Sequence, residues 1–144
     1  MDYRNINDIY YIRVDFGEEI IEKILEVCIK ENIKSAFFSG IGGCSKAEIQ
    51  TFIPTEGNFE TEVLEGMLEL INITGNIFSE NGHLFHHAHA MFSYKEGIEH
   101  KMAGGHIKSI TVLYTAEIEL RPVIGGVIGK KHDPVTGTGF WSFE

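Results

Sequence analysis

Residues 79–94 read Ser-Glu-Asn-Gly-His-Leu-Phe-His-His-Ala-His-Ala-Met-Phe-Ser-Tyr, and they decide how the rest of the chain is read. Asn81-Gly82 is the signature of a two-residue hairpin, whose central positions need positive φ. Beyond it the sequence alternates. Leu84, His86, Ala88, Ala90, Phe92 and Tyr94 share one side of a strand, and Phe85, His87, His89, Met91 and Ser93 share the other. Before the turn, Met67 to Thr74 alternates too, with Leu68, Leu70, Asn72 and Thr74 set against Met67, Glu69, Ile71 and Ile73. Two alternating strands joined by a tight turn predict antiparallel sheet.

Further strands are predicted on both sides. Ile9 to Asp15 is rich in aromatic and β-branched residues, and Lys34 to Gly40 is a short apolar strand that ends in Gly40-Ile41-Gly42-Gly43. That glycine run lacks the Lys-Ser/Thr of a phosphate loop and no helix follows it, so it reads as a turn or a close crossing. Ala47 to Ile53 alternates, Pro54 to Asn58 is a turn, Glu60 to Glu65 is an edge strand, Lys95-Glu96-Gly97 is another turn, and Ile107 to Arg121 is the last regular strand. The tail from Pro122 is glycine-rich and weakly structured, with apolar residues 138–143 suited to docking on the body.

One helix interrupts this pattern. Asp15 and Glu18 have capping-box spacing, and Ile20, Ile21, Ile24, Leu25, Cys28 and Ile29 recur on one helical face up to the left-handed C-cap candidate Asn32. The expectation is one long amphipathic helix over about 17–31 packed on a mainly antiparallel sheet, an α+β fold forming one domain over 1–144.

Composition narrows function. Twelve basic and 21 acidic side chains give a net charge of −9. DNA binding needs clustered Lys and Arg to displace counterions, and the largest basic cluster is Lys130-Lys131-His132; direct DNA binding is disfavoured. The two cysteines, Cys28 and Cys44, are too few for a disulfide framework; Cys28 reads as a small core residue of the helix and Cys44 as a bland small residue rather than a nucleophile or redox thiol. No apolar run approaches the roughly 20 residues of a membrane span, and the expected location is cytoplasmic.

The chemistry lies in the histidines. His87 and His89 share a strand face, roughly 7 Å apart at the backbone, while His86 points away. His106 follows Gly104-Gly105, and two glycines let the chain return close beside another strand. If it returns beside the histidine strand, three imidazoles surround one ion and leave a fourth position open, an arrangement suited to zinc or another divalent transition metal. Glu69, among Met67, Ile71 and Ile73, is the one candidate for a catalytic carboxylate; structural pairing with Arg13 or Arg121 is its commoner fate.

These segments together resemble a known family. Arg13-Val-Asp-Phe-Gly17-Glu18, Ala36-Phe-Phe-Ser-Gly40-Ile-Gly42, Glu69-Leu-Ile-Asn-Ile-Thr74-Gly75-Asn76-Ile77, Gly82-His-Leu-Phe-His-His87-Ala-His89-Ala, Gly104-Gly105-His106 and Asp133-Pro-Val-Thr136-Gly137 occur in the order seen in the plants-and-prokaryotes conserved (PPC) domain. The resemblance implies a sandwich-like α+β fold, a homotrimer, and zinc held by His87, His89 and His106. The plant relatives' AT-hook, with its Arg-Gly-Arg-Pro core, has no counterpart here, so their DNA binding is not carried over. The expected function is a metal-binding homotrimer with a small-molecule ligand or a regulatory role. A metal-dependent enzyme is the first alternative and a DNA-associated regulator the second.

Overall fold

The first turn of the expected helix does not form, and Gly17 is the reason. In the computed structural model, which describes residues 1–143, Gly17 adopts φ +78°, a left-handed conformation foreign to a right-handed helix. Residues 15–19 instead hook onto a distant strand: the Gly17 N–H donates to the Val112 carbonyl and the Val112 N–H to the Glu18 carbonyl, both at 2.9 Å. The Asp15–Glu18 spacing survives as half a capping box, the Asp15 N–H donating to the Glu18 carboxylate at 2.9 Å.

The helix, α1, is therefore the 11 residues Ile20–Lys30, capped by Glu19, whose carboxylate accepts from the Glu22 N–H. It is short rather than long. Ile20, Ile21, Ile24, Val27 and Cys28 are buried, whereas Ile29, expected on the apolar face, is 70% exposed. Asn32 ends it at φ +55° as expected. The Ile33 N–H donates to the Cys28 carbonyl and the Asn32 N–H to the Ile29 carbonyl, the paired bonds of a Schellman motif.

The central strands are longer than the sequence suggests, and some expected as separate strands are continuous. β1 (Asp2–Ile6) was not expected; it joins β2 (Ile9–Asp15) through Asn7 and Asp8, both at positive φ, and that Asn-Asp pair is its only local signal. β3 (Ala36–Ile53) continues through the glycine run expected to end it, with register shifts at Gly40/Gly42 and Cys44/Lys46. Close approach explains the glycines there: a Cβ on Gly42 would stand 2.6 Å from the Thr115 carbonyl oxygen. β4 (Asn58–Glu80) merges two expected strands, and its first part, residues 58–68, pairs with β3 alone. Asn81 and Gly82, both at positive φ, turn it into β5 (His83–Glu96), and β6 (Glu99–Pro122) follows.

Every ladder is antiparallel, in the order β1-β2-β6-β3-β4-β5. β5 then pairs back onto the first part of β6, from His89↔His106 to Glu96↔Glu99, so β3 to β6 close on themselves. Inside lie Leu70, Ile73, Ala88, Phe92, Ile110 and Leu120, continuous with the buried side of α1. The tail forms a small hairpin, β7 (Gly129–His132) with β8 (Gly139–Ser142). It docks as expected: Ser35 bonds both the N–H and the carbonyl of Ile128, and Trp141 meets Phe37 edge-on at 5.4 Å. No helix among the described residues is long and apolar enough to cross a membrane.

Candidate metal centre

The alternation read in β5 is the alternation observed. Ala88, Ala90 and Phe92 are 1%, 7% and 0% exposed, and His87 and His89 point outward. His86 turns inward and donates through Nε2 to the Ile107 carbonyl at 3.2 Å, a structural bond. Gly104 lets β6 close on this strand, because a Cβ there would collide with the Ala90 carbonyl oxygen. The return sets His106 opposite His89.

Three imidazoles consequently meet on one outer face. Ring centroids are 5.1 Å apart for His87–His89, 5.1 Å for His87–His106 and 5.6 Å for His89–His106. One nitrogen from each ring lies within 4.8 Å of the others. Tetrahedral sharing of an ion needs nitrogens about 3.3 Å apart, within the 4.8 Å spread of these rings. Burial holds His106 down to about 4, with His87 and His89 adding to the shift. Burial likewise lowers His87, helped by His89 and then Lys130. Neutral imidazoles near pH 7 are the form that binds metals, so this donor set fits a borderline divalent ion.

The surroundings come from strand register. Directly opposed residues of an antiparallel pair share a face, which places Asn76 beside His87, Thr74 beside His89 and Gln50 beside His106. Strict alternation would have turned Asn72 and Thr74 away from the Glu69 face, where no role suggested itself. A register shift between Leu70 and Asn72 reverses this: Ile73, expected to share the face of Glu69, is buried, and Asn72, Thr74 and Asn76 join the outer face. Nothing in the residue types marks that bulge. Phe59 stacks on His106 at 5.3 Å, and the Trp141 Nε1–H donates to Asn76 Oδ1 at 3.4 Å.

Glu69 is not brought to the histidines. It opposes Ser93, four residues from His89, or about 13 Å along the strand. It borders a shallow groove of about 420 Å³ that Ile41, Ile71 and Tyr114 also line. Neither arginine pairs with it, since Arg13 bonds Asp15 and Arg121 bonds Glu119. Burial pushes the Cys44 thiol up to about 12, with the Glu69 carboxylate adding to it.

The model of the Plants and Prokaryotes Conserved (PCC) domain matches residues 1–124. The chain belongs to this family. A PPC protein of Pyrococcus horikoshii is similar over 98% of this chain and 93% of its own, with 32% identity and a TM-score of 0.83. A chain from Archaeoglobus fulgidus, described as metal-containing, is 24% identical over 99% of both chains, with a TM-score of 0.84. One from Bacteroides thetaiotaomicron with a provisional DNA-binding label is 22% identical over 99% of this chain and 96% of its own, at a TM-score of 0.90. These last two likenesses are of PCC-domain fold alone. No curated protein matches the chain.

Proposed function

We propose that this PCC-domain chain is a metal-binding module that acts as a homotrimer, holding zinc or a similar divalent ion on His87, His89 and His106. The remaining coordination position takes a small-molecule ligand, and the role is regulatory. The observation that carries this reading is the convergence of three imidazoles, with one nitrogen of each within 4.8 Å of the others. An all-nitrogen set suits zinc, nickel or copper better than magnesium or calcium, which prefer oxygen. The metal-containing description of the Archaeoglobus protein supports it.

Assembly has its own support. Ile41, Ile71 and Tyr114 are 55%, 49% and 64% exposed around one shallow groove. Apolar side chains gathered this way are what subunit interfaces cover. Glu69, the candidate base for a metal-dependent enzyme, stands about 13 Å along the strand from His89, so no observation favours that reading. Direct DNA binding is opposed by the −9 charge, whatever label the Bacteroides relative carries.

Elemental analysis of untagged protein after zinc supplementation tests the metal. About one equivalent per chain is expected, lost when His87→Ala is combined with His89→Ala. Undiminished zinc in that double variant would overturn the assignment. Light scattering checks assembly, and a monomer would contradict the trimer.

A further inference from the structure

A divalent ion on three neutral imidazoles keeps its whole charge, and an uncompensated charge in a half-buried site calls for an anion. What surrounds this site accentuates the need. The residues set directly beside the three rings are Asn76, Thr74, Gln50 and Phe59, and none of them is acidic. In a chain of net charge −9, such a patch is a local exception.

Lys130 belongs to the same face. Its strand, β7, packs beside β4, and its ammonium lies 4.9 Å above the centre of the Phe78 ring. Phe78 opposes Phe85, and the next pair on that face is Asn76 with His87. One row, about 7 Å, therefore separates the ring under Lys130 from the cluster. Lys23, Lys30, Lys46, Lys101 and Lys108 each pair with a glutamate. Lys130 pairs with none among the described residues, and it rests on an aromatic face that holds a cation without neutralising it. Asn76 adds a donor: its carbonyl oxygen is occupied by Trp141, which leaves its NH₂ for a ligand.

We infer that the open side of the centre takes a small oxyanion, a carboxylate or a phosphate, held between the ion and Lys130 with Asn76 donating to it. This rests on the metal reading above and names the class of ligand for that site.

The test loads untagged protein with Co(II) and follows its visible absorption during titration with phosphate, with acetate and with neutral imidazole. Both anions produce saturable changes, and the tighter one identifies the head group. Lys130 is exposed, so Lys130→Gln keeps the fold. It weakens anion binding about fivefold, the weight of one partly exposed ion pair, and leaves cobalt uptake and imidazole binding unchanged. Equal anion affinity in the variant, or a response to imidazole alone, overturns the inference while leaving the metal centre standing. Failure to take up cobalt overturns both.

Discussion

His89 and His106 face each other across the β5–β6 ladder, and His106 is also the residue at which β6 leaves β5 and begins to pair with β3, opposite Gln50. The three histidines meet at the seam where the strands close. Closure brings the third imidazole to a strand that already carries two, so the cluster depends on the fold being complete.

Two single substitutions separate ligand from scaffold. His106→Ala should weaken zinc binding at least about a hundredfold, more than loss of an outer supporting hydrogen bond, with little change in melting temperature. His86→Ala should leave zinc binding near wild type and destabilise the fold by about 1–3 kcal/mol, because the Ile107 carbonyl loses its partner. Zinc titration and thermal unfolding of both variants check the pair.

Closure itself can be tested at Gly104. A methyl group there would collide with the Ala90 carbonyl oxygen, so Gly104→Ala should cost about 1–3 kcal/mol and weaken metal binding by displacing His106. Gly126 has nothing within 4 Å of a built Cβ, and Gly126→Ala should change stability by no more than about 0.5 kcal/mol. Denaturant unfolding of the two variants makes the comparison.

Much of this site was legible in the sequence, and particular residues show where legibility ended. Period-two alternation put His87 and His89 on one face and His86 on the other because both depend only on local backbone geometry. Asn81-Gly82 announced its hairpin for the same reason. Gly17 hid the true helix start, since a capping-box pattern says nothing of a glycine held left-handed by a strand about 95 residues away. The bulge after Leu70 was invisible because register is a property of two strands together. It moved Thr74 and Asn76 to the face of the histidine cluster, and the carboxylate that looked most promising, Glu69, lies on another stretch of the sheet.

The thiols should be inert. Burial pushes Cys28 and Cys44 up to about 12, so almost no thiolate exists at pH 8 and neither sulfur meets solvent. A chromogenic disulfide reagent should release no colour from the native protein and titrate both cysteines after unfolding. Fast reaction of Cys28 in the native state would contradict the packing of α1, and fast reaction of Cys44 would contradict the burial of β3.

The charge pattern on α1 makes a pH prediction. Lys30, one turn on, and then Lys23 hold the Glu26 carboxyl down to about 2 from 4.5. A carboxylate lowered on folding contributes stability above its unfolded pKa and loses it as pH falls through the folded value. The melting-temperature gap between wild type and Glu26→Gln should therefore be constant from about pH 7 to 5 and close toward about pH 2. A gap that widens on acidification would contradict the pairing.

His87, His89 and His106 are proposed to hold one divalent ion jointly. Anomalous diffraction at the zinc edge, from crystals of untagged protein grown with zinc, tests it most directly. The expected map has a single strong peak per chain with one nitrogen of each of the three rings at about 2.0–2.1 Å. Ordered rings with no peak between them, or a peak held by other side chains, would contradict it.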